Sequence, residues 1–176
     1  MSFKKYYHFY PTSKTIYWPV AKCGSVSIRS YFTKKENDVS DFLNNFIVNF
    51  DSLTYNRELY SFAVTRHPYD RFIGAYQDVC FRAEGSKFYV KEYSNITDLD
   101  YLISKICNTP DSEVDIHFVS QTERLALSYI QDVYDITKLS IPIKKNVSKK
   151  ISIELTDTQK EKLYSRYKND FILLGY

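Results

Sequence analysis

The stretch from Ile16 to Phe32, IYWPVAKCGSVSIRSYF, changes from the pattern of a buried strand to that of a helix within a few residues. The apolar run from Thr15 to Val20 predicts a strand, and the residues from Ser27 to Thr33 have helical spacing. A loop of small residues, Ala21 to Ser25, contains a lysine and joins the two. A strand that passes through such a loop into a helix is typical of α/β proteins.

A second junction of the same kind lies downstream. The short apolar strand predicted from Tyr60 to Thr65 ends at Arg66, and Pro68 then marks the first position of a helix. The apolar residues of the segment that follows, YDRFIGAYQDVCF, fall on one side of that helix. Strands that alternate with helices predict an α/β fold with a central, mostly parallel sheet flanked by helices.

The remaining elements are predicted from spacing and capping residues. Helical spacing is found from Asp41 to Phe50 and from Thr97 to Cys107, where the first residue of the second helix is the expected cap. Alternation from Tyr129 to Ile136 predicts a strand. The last residues form a closing helix that is capped by Thr156 or Asp157.

The composition is that of an ordinary globular protein. A length of 176 residues predicts one domain, residues 1–176, and 44% hydrophobic residues are enough for a core. A net charge of +3 is too small for a dedicated nucleic-acid-binding protein, although it is compatible with a local basic pocket for a small anion. Because we find neither a signal-peptide pattern nor a membrane-length apolar run, a cytoplasmic protein without a membrane segment is expected.

The three cysteines, Cys23, Cys80 and Cys107, are widely spaced and odd in number. They have neither the even count of a disulfide framework nor the paired spacing of a zinc site. We therefore expect buried, reduced thiols in a reducing compartment. The sequence contains no cluster of His, Asp and Glu residues that indicates a metal site.

The first junction has the features of a phosphate-binding loop. A helix N-terminus offers N–H groups without intrahelical acceptors and a partial positive charge, and Gly24 lets the backbone approach an anion closely. Ser25 and Ser27 add hydroxyl donors, and Lys22 adds a mobile positive charge. The pattern differs from the Walker A loop, in which the lysine follows the glycines. Spacing by itself leaves a phosphate-binding loop and an ordinary tight turn both open.

The second junction places Arg66 where the carboxyl end of a strand meets the ligand crevice of open α/β sheets. An arginine there can hold a phosphate through two parallel hydrogen bonds. Arg71 lies five residues further on, so we expect it to face elsewhere, in an ion pair with Asp70 or Asp78 or in solvent. His67, next to a proline, is expected to be a structural cap rather than a catalytic group.

Together these motifs resemble those of sulfotransferases that use 3′-phosphoadenosine 5′-phosphosulfate (PAPS), and most closely the carbohydrate sulfotransferases related to the Golgi chondroitin, dermatan and heparan enzymes. WPVAKCGSVSIRSYF resembles the family's 5′-phosphosulfate loop, and FAVTRHPYDRFIGAYQD resembles its 3′-phosphate segment. HFVSQTERL, from His117, resembles an H-[WF]-x-x-Q segment. KNDFILLGY resembles the family's common ending, with matches at Tyr167, Asp170, Gly175 and Tyr176. The four motifs occur in the family's order over nearly the whole chain.

The resemblance implies a P-loop-like three-layer fold and sulfuryl transfer from PAPS to a hydroxyl group. It implies that the acceptor attacks sulfur in line, that adenosine 3′,5′-bisphosphate (PAP) leaves, and that Lys22 neutralises the charge on the bridging oxygen. The donor-binding positions that it implies are Lys22, Cys23, Gly24, Ser25, Val26 and Ser27 for the 5′-phosphosulfate, and Arg66 and Gly74 for the 3′-phosphate.

The chain departs from the family pattern in both segments. Gly74 occupies the position of a serine whose hydroxyl helps to bind the 3′-phosphate, so another donor replaces it or the affinity is lower. Val26 replaces a common hydroxyl residue, and Cys23 between Lys22 and Gly24 leaves a one-residue ambiguity in the alignment. A non-catalytic anion- or glycan-binding relative is therefore an alternative. A P-loop kinase-like enzyme is another, although its Walker lysine and acidic Mg²⁺ ligand are not visible.

His117 is the candidate general base, because the unperturbed pKa of histidine lies near neutrality and His117 opens the H-x-x-x-Q segment in a polar loop. Glu58 and Asp115 are acidic alternatives, and a structural histidine is the non-catalytic interpretation. Gln121 is expected to position the acceptor or His117. This chemistry requires no metal ion.

The resemblance implies an acceptor hydroxyl on a carbohydrate, with tyrosine in a protein as the alternative. The basic segment 141–150 either closes over the donor or an anionic glycan, or forms a solvated loop. Its lysines are Lys144, Lys145, Lys149 and Lys150. We expect no nucleic-acid partner.

Overall fold

The structure is a computed structural model that describes residues 6–10, 13–36, 47–49, 59–84, 86, 89–140 and 152–176. The chain forms two compact units. The first comprises Met1–Arg66 and Gln121–Lys145, and the second comprises His67–Ser120 and Asn146–Tyr176.

One sheet organises the first unit. Its described strands are β1 (Tyr6–Tyr10), β2 (Thr15–Trp18), β3 (Ile47–Asn49), β4 (Tyr60–Thr65) and β5 (Asp132–Asp135), in the spatial order β3-β1-β2-β4-β5. β2 and β5 each pair in parallel with β4, whereas β1 is antiparallel to both β2 and β3. All the described strands except β1 therefore run in one direction. The predicted α/β class with a mostly parallel sheet is confirmed.

The helices are distributed over both units. In the first unit they are α1 (Ser25–Glu36) and the short α4 (Gln121–Arg124), with 3₁₀ turns at Leu127–Tyr129 and Ile136–Lys138. In the second unit they are α2 (Pro68–Val79), α3 (Leu99–Asn108), α5 (Asp157–Arg166) and α6 (Lys168–Leu174). Among the described helices, none is long and apolar enough to cross a membrane.

Aromatic side chains dominate the core of the first unit. All four residues of β2 are buried, as expected for a strand with neighbours on both sides and apolar cover on its faces. The indole N–H of Trp18 donates to the Ser61 hydroxyl at 2.9 Å, so this buried donor is satisfied. Phe32 of α1 stacks on Tyr10 of β1 with ring centroids 4.5 Å apart, and it thereby fixes α1 on the sheet.

The core of the second unit forms between α2, α3, α5 and the segment before α4. Phe72 and Phe118 are buried, with ring centroids 6.0 Å apart. From α3, the side chains of Leu102, Ile103 and Ile106 are fully buried. Burying an apolar side chain of this size contributes about 1.5–3 kcal/mol. Because the three residues recur at helical spacing, a helix places all of them on the side of α3 that packs against the core.

Capping residues explain where the helices of the second unit begin. α5 has a capping box, because Thr156 accepts from the N–H of Gln159 and the Gln159 side chain accepts from the N–H of Thr156. Of the two predicted caps, Thr156 and Asp157, Thr156 is the one that the structure shows. For α3 the predicted cap was wrong: Asp98, not Thr97, accepts from the N–H of Tyr101 at 3.0 Å.

Three other predictions differ from the structure. β1 was not predicted at all. The helix predicted from Asp41 to Phe50 is wrong at Ile47–Asn49, which pairs as a strand with β1, and its other residues lie outside the described part. The closing helix is interrupted at Tyr167, which ends α5 and precedes α6.

Candidate functional site

The candidate site in the first unit begins with two neighbouring parallel strands. β2 and β4 pair in register from Thr15 opposite Tyr60 to Trp18 opposite Ala63. Because parallel strands end at the same edge of a sheet, Lys22 and Arg66 both follow carboxyl ends at that edge. This is the edge at which open α/β sheets bind ligands.

Two residues of the loop after β2 have an unusual backbone conformation. Gly24 has φ of 73° and Lys22 has φ of 66°, both in the left-handed region. For a lysine this conformation costs about 1–2 kcal/mol, and such strain is common at functional sites. The first bond of α1 runs from the N–H of Ile28 to the carbonyl of Gly24 at 3.0 Å. The three preceding N–H groups therefore have no acceptor within the helix.

The buried amide of Gln121 connects this loop to Arg66. Its Oε1 accepts the backbone N–H of Arg66 at 3.0 Å, and its Nε2 donates to the backbone carbonyl of Arg66 at 2.9 Å. The same Oε1 accepts the thiol of Cys23 at 3.3 Å. One side chain at the start of α4 therefore contacts residues from both strand-to-helix junctions.

The guanidinium of Arg66 has no partner among the residues that the structure describes. The residue is half-buried, and its side chain makes no hydrogen bond or ion pair with any described residue. An arginine whose backbone is held while its charged group is uncommitted suits the recognition of an anion with paired oxygens.

His117 lies in the second unit and is held by a carboxylate. Its Nδ1 is 2.7 Å from Oδ1 of Asp115, which also accepts the backbone N–H of His117 at 2.9 Å. Burial raises the pKa of Asp115, but the hydrogen bonds from His117 and the electrostatic interactions with His117 and Arg82 together hold that pKa below the usual value. The opposite ring nitrogen, Nε2, is 3.9 Å from Oδ2 of Asp78. Asp115, considered above only as an alternative base, is thus the partner of His117.

Arg71 does not lie in solvent. It is fully buried, and its guanidinium donates to the backbone carbonyl of His117 at 3.1 Å and to that of Val119. It also lies over the ring of Tyr167, 5.9 Å from the centroid. A helix of the second unit therefore holds the segment that carries His117. The expectation of a solvated arginine is wrong, because local spacing does not reveal a backbone partner 46 residues away.

Two other positions of the second junction can be compared with expectation. His67 occupies the N-cap position of α2, but its side chain makes no capping hydrogen bond. Its ring packs edge-on against Phe171 and Tyr176, with centroids 5.6 and 5.5 Å away. Gly74 lies within α2. Glu58 and the lysines of segment 141–150 lie outside the described residues.

None of the three cysteines is in a disulfide: Cys23 and Cys80 are buried, while Cys107 is partly exposed. Burial, followed by the Asp115 carboxylate, raises the pKa of Cys80 to about 12, so this thiol stays protonated at neutral pH. Within the described ranges, no group of three or more His, Cys, Asp or Glu side chains could hold a metal ion.

The sequence did not predict the hydrogen bonds between Gln121 and the backbone of Arg66. The H-x-x-x-Q spacing drew attention to it, but as a contact for the acceptor or His117. Both of its amide atoms bond the backbone of Arg66, which is 55 residues away in the chain. The signal that could have indicated this role is a single glutamine that follows an apolar run and opens a short helix, where a buried amide needs partners.

A comparison with known families identifies the class. A sequence model described as the sulfotransferase family matches residues 5–141, which include both junctions, His117 and Gln121. Because the match covers most of the chain, the chain belongs to the sulfotransferase family, and its activity is that of a transferase of sulfuryl groups. No significant match was found among curated proteins or among solved structures.

Proposed function

We propose that this protein transfers a sulfuryl group from PAPS to a hydroxyl group of a carbohydrate, and that residues 1–176 act as one sulfotransferase domain. One observation carries the proposal: the loop that contains Lys22 and the residue Arg66 follow adjacent parallel strands, and Gln121 contacts both through Cys23 and the Arg66 backbone. The guanidinium of Arg66 has no partner among the described residues. Two anion-binding groups at one sheet edge suit a nucleotide that carries phosphates at both its 5′ and 3′ positions.

In this proposal the first loop binds the 5′-phosphosulfate. The N–H groups at the start of α1 point toward the anion, and the left-handed conformation of Gly24 opens the backbone to it. Lys22 adds a full charge that stabilises the negative charge on the leaving oxygen as transfer proceeds. The residues proposed to surround this group are Lys22, Cys23, Gly24, Ser25, Val26 and Ser27.

Arg66 is proposed to bind the 3′-phosphate, the group that distinguishes PAPS from ATP. Its guanidinium can hold two phosphate oxygens through parallel hydrogen bonds. Gly74, at the position where the family usually has a serine, supplies no hydroxyl. Arg66 therefore supplies most of the 3′-phosphate recognition. When bound, PAPS supplies a sulfuryl group on a phosphate leaving group.

His117 is proposed to accept the proton of the acceptor hydroxyl. In the neutral ring, the bond from Nδ1–H to Asp115 places the proton on Nδ1 and leaves the Nε2 lone pair as the acceptor. Asp115 then stabilises the imidazolium that forms, and Asp78 adds negative charge near Nε2. A positioned base of this kind contributes about 10²–10⁴-fold to the rate.

The test is transfer of sulfur-35 from labelled PAPS to a panel of acceptors that includes chondroitin, dermatan and heparan chains, simple glycosides and a tyrosine peptide. Lys22→Ala should abolish transfer. Lys14→Ala is the matched control, because Lys14 is an exposed lysine that also has positive φ and lies at the other end of β2. Transfer to the peptide alone would contradict the carbohydrate acceptor. Donor binding without any transfer would identify a non-catalytic relative, and absence of donor binding would overturn the proposal.

A further inference from the structure

We infer that Gln121 is a positioning residue that sets the preference of the protein for a 3′-phosphate by fixing the backbone of Arg66. The inference rests on the proposed function, since it concerns the same donor site. Gln121 was expected to position the acceptor or His117; here its role is exerted through Arg66.

The side-chain amide of Gln121 bonds the backbone of Arg66 in the way that a neighbouring strand would. β4 pairs with β5 as far as Thr65 opposite Asp135, and Arg66 is the next residue. At Arg66 the partner is the side-chain amide of Gln121. It accepts the N–H of Arg66 at 3.0 Å and donates to the carbonyl of Arg66 at 2.9 Å. Because Gln121 is fully buried, these bonds are shielded from water, and both backbone polar groups of Arg66 are satisfied by it.

These two bonds fix the direction in which the side chain of Arg66 leaves the backbone. The backbone of Arg66 sets where its Cα–Cβ bond points, and a two-pronged contact with phosphate tolerates little misalignment. Gln121 also accepts the thiol of Cys23, so the same amide contacts the loop proposed to hold the 5′ group. Because both amide atoms bond the backbone of Arg66, loss of the amide should weaken recognition of the 3′-phosphate more than recognition of the rest of the nucleotide.

The experiment uses isothermal titration of the full-length protein with PAP and with AMP, which lacks only the 3′-phosphate. Gln121→Met keeps the length of the side chain and removes the amide. Gln131→Met is the matched control, because the Gln131 side chain accepts the backbone N–H of Ser61 at 2.9 Å, near the opposite end of β4. Thermal unfolding of each variant reports whether it is folded.

In Gln121→Met, we expect the ratio of PAP to AMP affinity to fall about tenfold or more, whereas Gln131→Met should leave it unchanged. If Gln121 acts through Arg66, adding Gln121→Met to Arg66→Ala should cause no further loss of the ratio. A folded Gln121→Met protein with the wild-type ratio overturns the inference. Absence of PAP preference in the wild type overturns the proposed function instead.

A second variant covers the case in which Gln121→Met does not fold. A protonated carboxylic acid can supply the one donor and the one acceptor that the Arg66 backbone uses, whereas a carboxylate has no donor. At pH 5.5, where the buried carboxyl of Gln121→Glu should be protonated, the variant should prefer PAP about as strongly as the wild type does at that pH. At pH 8, where the carboxyl is ionised, this preference should be lost. A preference that does not vary with pH relative to the wild type would contradict the role of the amide donor.

Discussion

Replacing Arg71 with methionine tests whether a buried cation holds the segment that carries His117. The guanidinium is fully buried and donates to the backbone carbonyls of His117 and Val119. Methionine preserves much of the apolar stem but leaves both carbonyls without this donor. Each unsatisfied buried carbonyl costs about 1–3 kcal/mol, and loss of the cation–π contact with Tyr167 costs about 0.5–1 kcal/mol.

From these terms we expect Arg71→Met to lower the free energy of unfolding by about 2.5–7 kcal/mol, a large part of the ~5–15 kcal/mol typical of a domain. Urea unfolding followed by far-ultraviolet circular dichroism measures this loss through the midpoint. Arg71→Lys should recover part of it, because an ammonium can donate to at least one of the carbonyls.

Lys160→Met is the matched control for removal of a cation. Lys160 has 47% of its side chain exposed, and its ammonium is 3.7 Å from the carboxylate of Asp157. The control should lose less than about 1 kcal/mol, as expected for an exposed ion pair. A loss in Arg71→Met as small as the control would refute the idea that these carbonyl contacts stabilise the unit.

Three further predictions follow from the buried and strained groups. Burial, followed by the charge of Arg29, lowers the pKa of His8 to about 4, so the unfolded chain binds a proton near pH 6.5 before the folded one does. Stability should therefore fall by about 3 kcal/mol as the pH drops from 6.5 to 4, and unfolding curves of His8→Gln should show a smaller fall. Lys22→Gly should relieve the left-handed strain and raise the free energy of unfolding by about 0.5–1 kcal/mol, while donor binding is lost; calorimetry can measure both effects. Lys22→Ala retains the strain and should not be stabilised. Asp115→Asn should lower kcat about tenfold or more with little change in donor KM, and an unchanged kcat would contradict its role in holding the base.

The strands at the two junctions could be predicted because their apolar runs contrast with polar flanks. β2 and β4 are almost wholly buried, and such strands appear as continuous apolar stretches. β1, with the sequence YYHFY, was missed because its aromatic residues follow a charged segment and give no such contrast. Its strand conformation depends on pairing with β2 and β3.

The segment around β3 shows why spacing can mislead. DFLNNFIVNF has apolar residues at helical spacing, yet Ile47–Asn49 pairs with Tyr6–His8. A short apolar run cannot be assigned to a strand or a helix from periodicity alone. Backbone pairing with β1 places these residues in a strand rather than a helix.

In the candidate site, residue types were predictable but partners were not. The glycine, lysine and arginine at the junctions indicate anion binding through their own chemistry. The contacts of Gln121 with Arg66 and of Arg71 with His117 join residues 55 and 46 positions apart, respectively. Such pairs depend on tertiary packing, which local sequence patterns do not encode.

The most direct test of donor recognition is calorimetric titration of PAP, AMP and ADP against the wild type and Arg66→Ala, with Arg82→Ala as the control. Arg82 is already paired with Asp78 at 2.7 Å, so its removal should not affect the 3′-phosphate. We predict that the wild type and Arg82→Ala prefer PAP over both other nucleotides, and that Arg66→Ala binds PAP and AMP equally. Equal binding of PAP and ADP by the wild type, or an unchanged preference in Arg66→Ala, would contradict the assignment of the 3′-phosphate to Arg66.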